Sequence, residues 1–302
     1  MAQTNIIYHQ DCVAGMAEHL EDECVDLVVA DPPYFKVVGE KWDYRWRTEE
    51  DYLSWSETWI AQAVRALRMG GSFYLFGYFR MLSRLLPVLE GAGLELRQQI
   101  VLNKGMQSVS GRATRGYKMF PNATESILFL YKDPKPFVRQ LLKARQQALG
   151  LTAREINDRL GVKSNGGGMW SIYTGRNVCK QLPTQQVWDK LREILQFDLP
   201  YEKIRQTFHP QLGLTDVWDD VNFYEEERFH PTQKPQKALE RLILASSDRG
   251  DLVLDPFMGG GSTAVCCRAN GRSYVGFEID GDYYKASLRR LAEEKNKRAL
   301  CR

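Results

Sequence analysis

Apolar positions change period twice along the chain. Thr4–His9 reads as a short strand and Val13–Leu20 as a helix, and Val25–Ala30 (VDLVVA), apolar but for Asp26, is a continuous run of the kind typical of a parallel strand buried on both faces. In Asp51–Leu67 the residues Tyr52, Trp55, Trp59, Ala63 and Leu67 recur at helical spacing up to Gly70-Gly71. Ser72–Phe76 then returns to a buried strand. Leu94–Leu102 and Glu125–Tyr131 read as two further strands, forming an antiparallel edge. The same grammar resumes in the last third, with a helix at Pro235–Ser246, a strand at Leu252–Leu254, a helix at Thr263–Asn270, a strand at Ser273–Phe277 and a closing helix at Asp282–Lys297. Strand and helix pairs repeated in this way predict a doubly wound, largely parallel sheet.

Between Lys132 and Phe229 strand signals are sparse and helix formers dominate, starting from Lys-Asp-Pro-Lys-Pro, a boundary-like composition. The expectation is a sheet domain formed by residues 1–131 and 229–302, interrupted by a helical insertion at 132–228. At 302 residues the chain has room for both. Within the insertion, 149–196 has the pattern of a helix-turn-helix. Thr152 and Glu155 form a capping box, Ile156 and Leu160 share a face, and Gly161 permits the turn. A second helix is expected at Met169–Arg176 and a third at Thr184–Leu195. The connection, Ser164-Asn165-Gly166-Gly167-Gly168, is longer than that motif ordinarily has, so a small helical bundle packed on the sheet domain is the competing reading.

Charge sharpens this picture. From Leu102 to Arg205 there are eighteen Lys and Arg against eight Asp and Glu, a surplus of ten, whereas the rest of the chain has a deficit of seven. A basic middle between acidic ends suits a polyanion such as double-stranded DNA. Lys163, Arg176 and Lys180 are candidate phosphate contacts, as are Lys104, Arg112 and Arg115 in a second basic stretch from Lys104 to Lys118. The bland alternative is a solvated surface. Six cysteines form no C-x-x-C pair and the four histidines have no ligand-like spacing, so no metal is expected. No apolar run approaches the ~20 residues that span a bilayer, and the reading is a cytoplasmic protein with reduced thiols and no membrane partner.

Two strand ends carry candidate chemistry. Asp31-Pro32-Pro33-Tyr34 follows a buried strand, at the carboxyl edge where open α/β sheets bind ligands. An amino group on an aromatic base is a poor nucleophile because its lone pair is delocalised into the ring. A site that alkylates it must accept hydrogen bonds from both N–H groups, so that the nitrogen can become tetrahedral. The Asp31 carboxylate and Pro32 carbonyl are suited to this, and Tyr34 to stacking on an extruded base; a simple tight turn explains the same four residues. Asp255-Pro256-Phe257-Met258-Gly259-Gly260-Gly261-Ser262-Thr263 also joins a strand to a helix. Its glycines allow close backbone approach, and Ser262 or Thr263 is placed to cap the helix. The loop has no phosphate-loop lysine. About twenty residues on, Glu278 ends the next strand, where an acidic residue commonly meets ribose hydroxyls, while Asp280 fits a helix start better.

With these motifs, and with His230-Pro231-Thr232-Gln233-Lys234-Pro235 leading into a helix, the chain resembles the DNA amino-methyltransferases (adenine-N6/cytosine-N4) in the β arrangement, in which the catalytic motif precedes the cofactor loop. The resemblance spans roughly Ile6–Tyr131 and Phe229–Leu291. It implies a Rossmann-like, S-adenosylmethionine-dependent methyltransferase fold with permuted motif order, S-adenosyl-L-methionine as cofactor, and an insertion that reads the DNA sequence. It implies a catalytic role for Asp31, Pro32, Pro33 and Tyr34. It further implies that Asp11 lies near the cofactor's adenine and Lys234 near its methionine end, that Asp255 and Phe257 line the pocket, and that Gly259 and Gly261 admit the backbone. Asp at the first motif position resembles the adenine enzymes, where Ser is more usual for cytosine. Cytosine-N4 methylation, RNA adenine methylation and a non-catalytic DNA-binding regulator stay open at this point. Homodimers are common among such proteins, but no dimer surface can be named from the sequence.

Overall fold

The computed structural model describes residues 3–35, 45–105, 108, 120–161, 168–175, 181–225 and 233–300, with only the backbone of 295–300. The chain divides into two compact units, residues 1–132 with 207–302, and residues 133–206.

The larger unit is an eight-stranded sheet: β1 (Ile6–His9), β2 (Val25–Ala30), β3 (Leu67–Gly77), β4 (Leu94–Asn103), β5 (Thr124–Lys132), β6 (Val217–Trp218), β7 (Leu252–Asp255) and β8 (Ser273–Glu278). Its order is β1-β8-β7-β2-β3-β5-β4-β6. Every described pairing is parallel except those of β5, which runs antiparallel to both β3 and β4. Helices α1 (Cys12–His19), α2 (Glu49–Ala66) and α3 (Phe79–Gly91) cover one face, and α8 (Gln236–Ser246), α9 (Ser262–Ala269) and α10 (Gly281–Leu300) the other. Alternate residues of each central strand therefore enter different cores: Val28, Phe73 and Leu254 pack with Trp59, Ile60 and Leu85, and Val29, Tyr74 and Val253 with Leu239, Leu242 and Ile243. This two-sided burial is why the strands read as continuous apolar runs.

Two local features depart from the expected elements. Gly70-Gly71 does not end a helix before a loop; both residues lie inside β3, which starts immediately after α2. Gly70 has φ +75°, a Cβ on Gly71 would lie 2.9 Å from the Asp26 carbonyl, and the β2–β3 register shifts between Val25 and Leu27. The glycine pair makes a bulge rather than a break. Helix α3 has no counterpart among the expected elements. Its Leu82, Leu85 and Leu89 form a buried stripe, while Pro87 sits in its third turn and masks the helical signal.

The smaller unit holds α4 (Lys135–Ala148), α5 (Ala153–Leu160), α6 (Gly168–Tyr173) and α7 (Gln185–Leu195) around a core of Trp170, Trp188, Leu191 and Ile156. The capping box forms: Glu155 N–H donates to Thr152 Oγ1 at 3.2 Å, and Thr152 N–H to Glu155 Oε2 at 2.7 Å. Gly161 ends α5 at φ +73°. Buried Asn157 then accepts from Trp170 N–H at 3.1 Å, tying α5 to α6. This unit closes at Gln206, well before the expected 228. Residues Val217–Trp218 pair with β4, and Trp218, Val221 and Phe223 bury in the sheet core. A two-residue strand leaves no periodic signature, so composition alone assigned this stretch to the insertion.

Candidate active site

The carboxyl ends of β1, β8, β7 and β2 converge on a cavity of about 280 Å³. It is lined by Asp11, Asp31, Pro32, Pro33, Tyr34, Lys234, Asp255, Phe257, Gly259 and Glu278, so motifs more than 200 residues apart in sequence face one space. Gly261 is not among the lining residues. Arg112, Arg115, Lys163, Arg176 and Lys180, and His230 to Thr232, fall outside the described residues.

The side of the cavity formed by Asp11, Glu278 and the glycine loop is held by backbone hydrogen bonds. Asp11 caps α1, its Oδ1 accepting from Val13 N–H at 3.0 Å and Ala14 N–H at 3.3 Å. Glu278 takes Gly259 N–H at 2.7 Å on one oxygen and Asp280 N–H at 2.8 Å on the other, which fastens the glycine loop to the end of β8. Asp280 starts α10 by accepting from Asp282 N–H and Tyr283 N–H, as its position suggested. The expected cap at Ser262 or Thr263 does not form. Gly261 occupies the N-cap position at φ +79°, Ser262 Oγ accepts from Arg290 at 2.7 Å, and Thr263 bonds to Asp255. A Cβ on Gly261 would lie 2.9 Å from Ser287 Cβ on α10. Gly261→Ala is therefore expected to destabilise the protein by about 2–3 kcal/mol through left-handed strain and overpacking. Urea unfolding checks this, and a loss under ~0.5 kcal/mol, the scale of a neutral surface change, would contradict it.

Asp255 is 5% exposed, and burial pushes its carboxyl up to about 7, opposed by the hydrogen bonds from Thr263 and the Phe257 N–H. Phe257 is wedged between Trp59 and Trp55, at centroid distances of 5.1 and 5.8 Å. Carboxylates, aromatic and apolar walls including the exposed Ile279, and a loop too tight for a Cβ at Gly261 form a donor set suited to a nucleoside that bears positive charge.

The side around Asp31 is an array of charges. Lys234 Nζ lies 2.7 Å from Asp31 Oδ2 and 3.0 Å from Glu125 Oε1, and Lys104 Nζ is 3.2 Å from Glu125 Oε2. The Tyr34 hydroxyl is held between Asp31 Oδ1, at 3.0 Å, and Glu125, and its ring meets Tyr78 edge-on at 5.3 Å. Burial would raise Glu125, yet the two lysines beside it hold it at about 2. Asp31 is moved up, by burial first and by the Glu125 charge, with Lys234 opposing. Lys234 stays firmly protonated because its two carboxylates outweigh its burial. Asp31 keeps 21% of its side chain exposed, against 3% for Glu125 and 6% for Lys234, so Asp31 is the member a substrate can reach.

Lys104, expected as a phosphate contact, instead has its ammonium on Glu125, with the Tyr78 and Phe223 rings 5.6 and 5.3 Å away. Glu125 was not singled out as a site residue. Its signal was present in β5: one carboxylate on a face otherwise made of Ile127, Phe129 and Tyr131. Because β5 runs against its neighbours, its first residues lie at the same edge as the last residues of β3 and β4.

Residues 25–289 match the DNA methylase family. The chain belongs to this family. It is a DNA amino-methyltransferase whose methyl donor is S-adenosylmethionine and whose substrate is DNA, on a Rossmann-like fold with the catalytic motif ahead of the cofactor loop and a helical insertion. It is 28% identical over 296 residues to the DNA adenine methyltransferase YhdJ of Escherichia coli (strain K12), covering 96% of this chain and 83% of that one. To the type II methyltransferase M.HinfI of Haemophilus influenzae it is 26% identical, covering 96% and 69%. Among solved structures, the putative DNA modification methylase TTHA0409 of Thermus thermophilus in complex with S-adenosyl-L-methionine superimposes with a TM-score of 0.56 at 22% identity, covering 95% and 93%. The cytosine-N4-specific PvuII DNA methyltransferase superimposes at 0.58 and 14% identity, covering 98% and 93%. Among the described residues no helix is long and apolar enough to cross a membrane, and no group of three or more His, Cys, Asp or Glu is placed to hold a metal.

Proposed function

We propose that this DNA methylase methylates the N6 amino group of adenine at one short DNA sequence, in a base turned out of the duplex. The observation that carries the reading is Asp31: a carboxylate open to the cavity at the first position of the Asp-Pro-Pro-Tyr turn. The resemblance of that position to the adenine enzymes, and the similarity to a relative named as an adenine methyltransferase, both support it. The fold is neutral on this point, since a cytosine-N4 enzyme shares it.

Bound S-adenosylmethionine supplies an electrophilic methyl group on a sulfonium. The residues of this chain prepare the nucleophile. Asp31 and the Pro32 carbonyl accept the two amino N–H groups, which turns the nitrogen lone pair out of conjugation and toward the methyl. As the N–C bond forms, the C–S pair leaves with sulfur and the amine sheds one proton. Asp31 is suited to take that proton, because burial has raised its affinity for one. Tyr34, fixed through its hydroxyl, gives the base an aromatic wall. Asp11, Asp255, Phe257, Gly259 and Glu278 hold the cofactor, with Gly261 letting α9 approach α10. No cysteine is required: Cys12 and Cys267 are buried, and burial drives both thiols away from ionisation.

Target recognition falls to the 133–206 unit, whose α5 and α6 follow the helix-turn-helix pattern, with the basic residues Arg112, Arg115, Lys163, Arg176 and Lys180 as phosphate contacts. The test is modified-base sequencing of plasmid DNA from cells making the intact protein or Asp31→Ala. N6-methyladenine at one motif, present only with the intact protein, is the expected result. Methylcytosine at N4 would replace the base and keep the chemistry; unmarked DNA would overturn the reading.

A further inference from the structure

Lys234 places a charged N–H donor on the carboxylate that the reaction needs as an acceptor. Its ammonium, 2.7 Å from Asp31 Oδ2, competes with the amino group of the incoming base for the same oxygen. Giving up a carboxylate is costly for a cation only 6% exposed, because little water reaches it to compensate, and that cost is an obstacle to the exchange. Glu125 removes that obstacle: its Oε1 already lies 3.0 Å from the same nitrogen, and it is ionised at any working pH.

We propose that Glu125 is a positioning residue for methyl transfer, retaining the Lys234 ammonium when the base amine displaces it from Asp31 and fixing the Tyr34 hydroxyl from the opposite side. The exchange makes and breaks no covalent bond. One hydrogen bond of Lys234 shifts from Asp31 to Glu125, and an amino N–H of the base takes its place. Lys104 completes the balance, with two cations against two carboxylates before the base arrives. Without Lys104, Glu125 would hold Lys234 harder and leave Asp31 uncompensated. The groups facing Asp31 are thus Tyr34, Lys234 and Glu125, with Lys104 behind Glu125 and the Asp255 carboxyl acting through space.

The inference rests on Asp31 as amine acceptor, and the experiment separates the two. Single-turnover methyl transfer to unmethylated plasmid DNA carrying the target motif is followed against pH for the intact protein and for Glu125→Gln, Glu125→Asp and Lys104→Met. In Glu125→Gln the plateau rate is expected to fall about 100-fold, the scale of losing one preorganised polar contact. Its acid limb should move down by about one pH unit, because Lys234 then serves Asp31 alone. Lys104→Met should move the acid limb up, and Glu125→Asp should recover part of the plateau with the limb near its original place. A residue that only supports the fold would lower the plateau without moving the limb in opposite directions in the two variants. Limbs that move together or stay put, or an undiminished plateau in Glu125→Gln, would overturn the proposal. Should Glu125→Gln not fold, Lys104→Met decides alone: an upward limb supports it and an unmoved one refutes it. If Asp31→Ala keeps full activity, the Asp31 reading fails instead, whatever the Glu125 series does.

Discussion

Asp31→Ala is expected to reduce single-turnover methyl transfer by about 10²–10³-fold or more, since it removes one of two acceptors that reshape the amine and also the group that receives its proton. Cofactor affinity should change less than about threefold, because a residue that acts only at the reacting nitrogen adds nothing to ground-state binding of the donor. The geometry keeps this variant interpretable. Lys234 retains Glu125 at 3.0 Å when Asp31 is gone, so the substitution does not strand a buried cation and the fold should survive. Asp31→Asn is the informative partner. It keeps one amide oxygen as an acceptor but brings an NH₂ toward Lys234 and cannot take a proton, so it should resemble Ala more than the intact enzyme. Calorimetric titration of S-adenosylmethionine alongside rapid-quench kinetics separates the two effects. Turnover within tenfold of the intact protein in Asp31→Ala would remove Asp31 from the chemistry.

How far this site could be read from the sequence varied with the physics behind each part. The Asp-Pro-Pro-Tyr turn and the glycine loop follow strands that are apolar but for Asp26, the pattern of central parallel strands, whose carboxyl ends share one ligand-binding edge. The cap on α5 was equally legible, since Thr152 and Glu155 satisfy each other's neighbourhood without tertiary help. What escaped depended on pairing between distant segments. Glu125, Lys104 and Lys234 meet only because β5 runs antiparallel between β3 and β4, and nothing local in Thr124–Lys132 reveals that direction. Lys104 illustrates the consequence: in sequence it belongs to a basic stretch, in space to a carboxylate. Ser262 and Thr263 failed as caps for a similar reason, because Arg290 and Asp255 claim their hydroxyls across the fold.

Asp255→Asn is expected to raise the thermal stability of the cofactor-free protein at pH 8, and to raise it by less than half as much at pH 5. Burial raises the Asp255 carboxyl from an ordinary 3.8 to about 7 in the folded protein. A carboxyl raised on folding binds its proton more tightly in the native state, so its contribution to stability is fully present below about pH 4. That contribution is lost as pH climbs toward 7. A difference of about three pH units corresponds to roughly 4 kcal/mol at 1.36 kcal/mol each, an upper figure for a site that can relax. Asparagine mimics the protonated acid, and its oxygen can still accept from Phe257 N–H, now at 2.9 Å from Asp255 Oδ1. The same group ties cofactor binding to pH. S-adenosylmethionine carries a sulfonium and an ammonium, and positive charge entering a cavity lined by Asp255 favours the ionised form. Affinity in the intact protein should therefore tighten by up to about tenfold for each unit that pH rises toward 7, with proton release on binding. In Asp255→Asn it should be weaker and flat across that range. Titrations in buffers of different ionisation enthalpy report the released proton directly. Equal pH dependence in the two proteins would mean that Asp255 is already ionised in the empty site, and that burial there is offset by contacts stronger than its bonds to Thr263 and Phe257.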